Sequence, residues 1–209
     1  MQSENNTGAQ GTPKRSFIEQ ARRSQIVAAA IETLADVGYG KASLAQIAKR
    51  AQISPSLIPY HFTDKDALIY QTLSDIADAW HAYVQAQVAP EETAGAQLRS
   101  YIEASLAYMG TRPSHYAALI EIVFNARTPD GVLLYRIDDE EDPNRVLLKT
   151  VLAHGQETGE FRAFDVHLMA LAIEGAISQF FGEMHKAGAN LEAYTAEMID
   201  LFARAVAQG

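Results

Sequence analysis

The chain has 209 residues, of which 48% are hydrophobic and 21% are charged, and this composition is typical of a globular protein that buries its own core. It contains no cysteine, which excludes a disulfide framework, a thiolate zinc site, a cysteine nucleophile and an iron–sulfur cluster. The formal net charge of −9, if evenly spread, excludes a surface that attracts nucleic acid on all sides.

The first helices follow a polar N-terminal stretch. Residues 1–13 show no apolar periodicity and are predicted to be a disordered leader. From Phe17 to Val37, apolar residues recur three or four positions apart, which predicts a helix, and Gly38 suits its C-terminal cap. Ser43 and the glutamine three residues later form a capping box, so a second helix is expected to begin there.

Another helix start follows after a two-residue connection. Ser54-Pro55 combines a capping hydroxyl with a proline at a position where no amide bond is needed. The short connection predicts that this helix crosses the preceding one steeply. Pro59 lacks an amide donor and disfavours helical geometry at Ile58, so we expect this helix to be short or loosened at its C-terminal end.

The remainder of the chain also carries helical patterns. Acidic residues from Asp64 precede a long apolar stripe that Pro90 stops, and Val132–Tyr135 is predicted to be a short helical piece. The last two helices are predicted at Val166–His185 and Leu191–Ala207. No segment predicts a strand, so the expected fold class is all-α, with about nine helices.

The charge is unevenly divided between the two parts of the chain. Residues 14–61 hold seven basic and three acidic side chains, a net +4, whereas residues 62–209 carry −12. A small basic helical unit on a larger acidic one is the charge pattern of a DNA-binding protein. We therefore predict a leader (1–13), a head (14–63) and a body (64–209).

The head resembles the DNA-binding part of a known family. Residues 43–68 (SLAQIAKRAQISPSLIPYHFTDKDAL) resemble the helix-turn-helix of TetR-family transcriptional regulators, and Arg23–Tyr39 matches the family's first helix. The resemblance covers residues 20–70, with Gln52 standing where the family usually has glycine. It implies a three-helix helix-turn-helix head on a larger C-terminal helical body that binds a ligand and dimerises.

The resemblance also nominates residues for contact with double-stranded DNA. In the family, the second helix of the pair enters the major groove, and here that helix offers no arginine, lysine, asparagine or glutamine for bidentate base contacts. Specificity is therefore expected to rest largely on DNA shape. The nominated residues are Lys41, Ser43, Gln46, Pro55, Ser56, Leu57, Tyr60, His61 and Lys65, with Lys14 and Arg15 as a possible minor-groove arm.

The body is expected to carry the ligand pocket and the dimer interface. Polar and aromatic side chains on otherwise apolar helices are the pocket candidates, since such pockets are apolar with a few polar anchors. They are Trp80, Tyr83, Tyr101, Tyr108, His115, Glu121, Asn125, Glu174 and Phe181. The family pairs its last two helices across a two-fold axis, and Gly175, Ala176, Ser178 and Gly182 would permit close approach there.

These features predict a homodimeric, cytoplasmic regulator, most simply a repressor that a small-molecule effector releases from a palindromic operator. No cofactor or metal is expected, no membrane span or secretory signal is evident, and catalytic motifs are absent, which argues against an enzyme. Two alternatives remain open: an all-helical carrier or helical enzyme without DNA binding, and a regulator that has lost specific DNA binding through Pro59.

Overall fold

The order of helices fixes where the functional surfaces lie. A computed structural model describes residues 17–128, 130–135, 141–184 and 190–208, without the side chains of Phe181 and Met184. In these ranges the chain forms nine α-helices and a 3-10 turn, Pro55–Leu57. The helices are α1 (Phe17–Val37), α2 (Leu44–Arg50), α3 (Ile58–His61), α4 (Lys65–Val88), α5 (Ala94–Thr111), α6 (Pro113–Asn125), α7 (Pro143–Glu157), α8 (Val166–Met184) and α9 (Leu191–Val206).

The predicted fold class is thereby confirmed as all-α, with the helix-turn-helix at the N-terminal end. The leader predicted at 1–13 and the arm residues Lys14 and Arg15 lie outside the described residues. None of the described helices combines the length and apolar character needed to cross a bilayer.

Side-chain caps define most of the helix starts. The Ser43 hydroxyl accepts a hydrogen bond from the Gln46 amide, and the Gln46 side chain accepts from the Ser43 amide, so the predicted capping box is present. Asp142 and Asn190 cap α7 and α9 through their side-chain oxygens, as expected for residue types that favour this position. Thr93 caps α5 by accepting from the Ala96 amide, a start that the sequence patterns did not reveal.

The core of the head extends beyond the head itself. Buried apolar residues of α1 to α3 pack against the first turns of α4 and against one face of α6. From α6, Ala118 and Ile122 are fully buried in this cluster, and Ala126 follows them. Helix α6 belongs by sequence to the body, so its burial in the head core joins the two parts.

A second apolar core occupies the body. It is formed by the later turns of α4 and by α5 together with the C-terminal helices, and its largest fully buried side chains include Phe180, Ile102 and Leu106. Helix α4 contributes Ile76 to the core of the head and Val84 to that of the body. Helices α4 and α6 therefore both reach from one core to the other.

The turn between α2 and α3 adopts the left-handed conformation that the family resemblance implies. Gln52 has a φ of +55°, the one positive value among described non-glycine residues. The Gln52 amide donates to the carbonyl of Lys49, and the next amide, of Ile53, donates to the carbonyl of Ala48, which closes the end of α2. Glutamine reaches this conformation at a cost of about 1 kcal/mol relative to glycine.

The position of the irregularity caused by Pro59 differs from the prediction. Pro59 occupies the first turn of α3, where an amide donor is not needed, and the Phe62 amide still donates to the Ile58 carbonyl at 2.9 Å. The missing amide instead leaves the preceding turn, Pro55–Leu57, in 3-10 geometry. The recognition segment is thus tightened at its N-terminal end, and its C-terminal end is regular.

The connection after α6 was predicted wrongly in one respect. Val132–Tyr135 is not helical; instead Arg127 and Leu133 form an isolated antiparallel bridge, and the Leu134 amide donates to the Ala126 carbonyl at 2.9 Å. Gly131, with a φ of +80°, makes the reversal between the two arms possible. Tyr135 then packs against the core of the head.

Replacing Gly155 in α7 by alanine is expected to destabilise the protein by about 1–3 kcal/mol. A Cβ there would lie 2.1 Å from the ring of Phe161, which is buried, so the ring or the helix would have to shift. Gly95→Ala in α5 is the matched control, because its Cβ would meet Glu160 at an ordinary 3.7 Å. Urea denaturation measures both variants, and equal stabilities would contradict this account of the packing.

Candidate nucleic-acid interface and ligand pocket

The residues nominated for DNA contact form an exposed surface on the head. Tyr60 is 72% exposed and meets the ring of His61 edge-on, with centroids 5.0 Å apart. His61 and Lys65 are partly buried. The other nominated residues are all exposed: Lys41, Ser43, Gln46, Pro55, Ser56 and Leu57. Most of them lie on α2, the 3-10 turn and α3, while Lys41 precedes α2 and Lys65 begins α4.

Two of these residues are held by their neighbours. The Gln46 side-chain oxygen accepts from the amide and the hydroxyl of Ser43, each at 2.9 Å, so a base contact by Gln46 would use its nitrogen. The hydroxyl of Ser54 makes no cap and instead hydrogen-bonds that of Ser56 at 2.8 Å. The predicted Ser54 cap is therefore wrong, and its hydroxyl orients Ser56.

Part of the basic charge of the head is used inside the protein. The Arg23 guanidinium donates to the His61 carbonyl and to the Gln71 side chain, and lies 4.2 Å from the centre of the Phe62 ring. These contacts tie the C-terminal end of α3 to α1 and α4. Arg50 forms an ion pair with Asp36, which joins α2 to α1. The exposed lysines of the head therefore contribute a larger share of the positive potential at its surface.

Lys65 serves the loop that precedes α2. Its ammonium group lies 3.4 Å from the Tyr39 carbonyl oxygen, to which it donates, and 4.9 Å from the centre of the Tyr39 ring. The nomination of Lys65 for phosphate contact stays a prediction, but any such contact competes with these internal ones. Lys41 and Lys49, by comparison, are exposed.

Glu121 and Asn125 lie at the junction of head and body. The Glu121 carboxylate accepts from the backbone amide of Tyr39 at 2.8 Å and from the Asn125 side chain at 3.2 Å. The approach is close because Gly38 precedes it with a φ of +77°, and a Cβ there would lie 3.1 Å from the carboxylate. Two of the predicted pocket residues therefore join α6 to the loop before α2.

Four other pocket candidates meet in one place between α4, α5 and α6. The rings of Trp80 and Tyr108 are stacked with centroids 6.0 Å apart, and Tyr83 lies 5.8 Å from Tyr108. The Tyr108 hydroxyl is 3.0 Å from His115 Nδ1, within hydrogen-bond distance. Tyr116 completes the group with its ring edge-on to Trp80 at 6.1 Å. We call these five residues the aromatic cluster.

A cation lies over this cluster. The Arg112 guanidinium is 4.8 Å from the centre of the Tyr108 ring and 5.7 Å from that of Tyr83. Burial raises the pKa of Tyr108, and burial followed by the charge of Arg112 lowers the pKa of His115. Both groups are consequently neutral at pH 7.

The sequence patterns missed Arg112 and Tyr116. The sequence offers only a weak indication of them, namely their position at a helix start. Arg112 directly precedes the proline that starts α6, and Tyr116 lies one turn into that helix. The Tyr116 hydroxyl donates to the Ser178 carbonyl at 3.3 Å, which links the aromatic cluster to α8.

Glu174 takes part in a separate buried ion pair. It accepts from Arg145 at 2.9 Å through Nε and at 2.6 Å through Nη2, and this joins α7 to α8. Tyr101 is buried beside the pair, and burial, reinforced by the charge of Glu174, raises its pKa. Arg145 was not predicted, while Phe181, the last candidate, has a side chain outside those described.

Grooves on the body surface lie elsewhere. One runs between α5 and α9 and includes Arg99, Glu103, Leu191 and Ile199 in its lining. None of the predicted pocket residues lines it. Within the described ranges, no group of three or more histidine or acidic side chains is arranged to hold a metal ion.

Comparison with known proteins gives the same assignment for the head. Residues 26–72 match the family described as bacterial regulatory proteins, tetR family. The HTH-type transcriptional regulator BetI of Cronobacter sakazakii is 35% identical over 82 residues, which are 39% of this chain and 41% of that one. BetI of Escherichia coli is 28% identical over 138 residues, covering 65% and 69% of the two chains.

The fold is similar over a longer range. The transcriptional regulator FadR from Bacillus subtilis, solved in complex with stearoyl-CoA, superposes with a TM-score of 0.76 at 20% identity. That match covers 88% of this chain and 98% of the other, so the arrangement of the body helices is shared as well as the head.

Replacing Glu121 by alanine is expected to speed hydrogen exchange at the Tyr39 amide, because that amide loses its acceptor. The expected fall in the free energy of unfolding is about 1 kcal/mol, since the loop can admit water. Asn125→Ala is the control: it removes the neighbour of Glu121 but keeps the carboxylate on Tyr39. Unchanged exchange at Tyr39 in the Glu121→Ala variant would show that the bond is absent in solution.

Proposed function

We propose, on the premise that the chain belongs to the TetR family, that it is a DNA-binding transcriptional regulator that a small molecule releases from its operator. The observation that carries the proposal is the exposed surface formed by the capped α2, the left-handed turn at Gln52 and the recognition segment. This surface belongs to the basic part of an otherwise acidic chain, so DNA is attracted to this side of the molecule.

The head would dock with the recognition segment in the major groove. Ser56 offers one hydroxyl to a base or a phosphate, and Leu57, which is 39% exposed, offers apolar contact to thymine methyl groups. Tyr60 stands beyond them, exposed enough to reach the sugar-phosphate backbone. With so few donors, discrimination between sequences would depend mainly on groove shape and half-site spacing.

Dimerisation through α8 and α9 is supported by the faces that these helices expose. Leu168 is 66% exposed, Leu171 39% and Leu201 58%, so α8 and α9 together carry several exposed leucines that a second surface could cover. Gly175 and Gly182 lie on the exposed side of α8, and a Cβ at either would meet nothing within 4 Å in the same chain. A second copy approaching there would explain both features, and a two-fold dimer implies a palindromic operator.

The proposed effector site is the aromatic cluster. Its members sit on α4, α5 and α6, and two of these helices, α4 and α6, also enter the core of the head. Movement of α6 would be passed on through the bond between Glu121 and Tyr39 to the loop before α2. Ligand and DNA then influence each other through one coupling free energy, and we propose that the ligand weakens DNA binding, as in a repressor.

The relatives support this reading of the body. The FadR neighbour was solved in complex with stearoyl-CoA, so a protein of this fold can bind such a molecule. The relatives named above are regulators, and we propose by extension that this chain has no catalytic activity, works in the cytoplasm where its DNA would lie, and needs no cofactor. The boundary between head and body at residue 63 likewise remains a proposal.

Replacing Lys41 by alanine is expected to weaken DNA binding and to flatten its salt dependence by about 0.9 in logarithmic slope for each head engaged. Lys41 is exposed beside Ser43, whereas Arg99, the control, is exposed on the body and pairs with Glu103. Fluorescence anisotropy with DNA flanking the chain's own gene, from 50 to 200 mM salt, measures both slopes. Absence of salt-dependent binding to any palindrome there would refute the proposed function.

Replacing Leu168 and Leu201 together by glutamate is expected to convert the dimer into monomers, because buried charges would face each other across α8 and α9. Phe124→Glu is the control, an equally polar change at a 48% exposed position on α6. Sedimentation velocity distinguishes the species. A double variant that stays dimeric, or a control that dissociates, would place the interface elsewhere.

A further inference from the structure

The indole nitrogen of Trp80 is buried and makes no hydrogen bond, alone among the buried side-chain polar atoms that the structure describes. Buried donors in native proteins are almost always satisfied by protein, water or ligand. Trp80 lies within the aromatic cluster, stacked on Tyr108 and edge-on to Tyr116. The orphaned N–H group is therefore placed among the predicted pocket residues and calls for an acceptor.

Arg112 supplies a cation at the same ring. Its guanidinium lies over Tyr108, 4.8 Å from the ring centre, and Arg112 itself is exposed at the junction of α5 and α6. No described carboxylate forms an ion pair with it. Trp80 and Arg112 thus bring a buried neutral donor and an accessible cation to one phenol ring.

We infer that the aromatic cluster binds an organic anion, whose acidic group pairs with Arg112 and whose apolar or aromatic part packs against the rings. An oxygen of the same molecule accepts from the Trp80 indole N–H. The inference rests on the proposed function in one respect, namely that the aromatic cluster is the effector site. It adds the chemical class of the effector.

The charges around the aromatic cluster favour an anion over a cation. Rings of tryptophan and tyrosine often bind cations through their faces, but here Arg112 already occupies the faces of Tyr83 and Tyr108. A cationic ligand would meet that charge at close range. Glu32, an acid whose charge acts on His115, accepts a hydrogen bond from Ser114 at 3.2 Å and belongs to α1.

Trp80 is the single tryptophan of the chain, so its emission reports on the aromatic cluster directly. The experiment titrates the full-length protein with three matched probes: 4-phenylbutyrate, 4-phenylbutanamide and 4-phenylbutylammonium. We expect the carboxylate to change Trp80 emission with a Kd roughly tenfold lower than that of the amide, because a charge-assisted pair replaces a neutral contact. The ammonium probe is expected to bind most weakly.

Variants assign the preference to its residues. Arg112→Gln keeps hydrogen-bond donors but removes the charge, and should bring the carboxylate to the affinity of the amide, roughly a tenfold loss. Arg99→Gln, on the same helix α5 as Tyr108, should change nothing. For Trp80→Phe, calorimetry replaces fluorescence, and the carboxylate should bind several-fold more weakly although the variant remains folded by circular dichroism.

Three results would overturn the inference: tighter binding of the ammonium probe, equal binding of all three, or no binding of any. Tenfold loss in Arg99→Gln would also count against it. Failure of DNA binding is a separate outcome, since the Trp80 titration needs no DNA. A carboxylate that binds the aromatic cluster of a protein without DNA affinity would leave the inference standing and remove the proposed function.

Discussion

Burial of α6 in the core of the head is the constraint on which the rest of the structure depends. Ala118 and Ile122 have no exposed surface. In the same turn of α6, the Glu121 carboxylate accepts a hydrogen bond from the Tyr39 amide. Because packed cores have few alternative arrangements, α6 cannot shift against the head without cost. The first turn of α6 carries His115 and Tyr116 of the aromatic cluster. A displacement of this turn must therefore either move the head with it or be resisted by the packing of the head core. Communication between the parts follows from packing rather than from a flexible hinge.

The sequence revealed what depends on neighbours along the chain. The capping box at Ser43, the caps at Asp142 and Asn190 and the apolar stripes are local, so helix starts and the fold class were predictable. The irregularity of the recognition segment was foreseen as well, but its location was not. Pro59 removes a donor that would have served the preceding turn, and this effect falls on residues before the proline.

Contacts between distant residues were not predictable from one sequence. Arg23 counted toward the basic charge of the head, yet its guanidinium lies over Phe62 and bonds to the end of α3. Glu121 shared the polar-on-apolar pattern of the pocket candidates, and the structure places it at the head instead. Trp80, Tyr83 and Tyr108 were nominated as aromatic residues on apolar helices, and the structure brings these three together. Tyr101, nominated on the same grounds, lies instead beside the Arg145–Glu174 pair, and Arg112 lies at a junction that no periodicity marks.

The insertion of α6 has a consequence for how the protein is made. Ile26 and Ile122 lie in the same core, although nearly a hundred residues separate them in the chain. During synthesis the first three helices emerge long before α6, whose apolar face completes their core. Until residue 126 has left the ribosome, the nascent head must expose that surface or cover it with something else. Its folding is therefore a late event with long-range contacts, despite its N-terminal position.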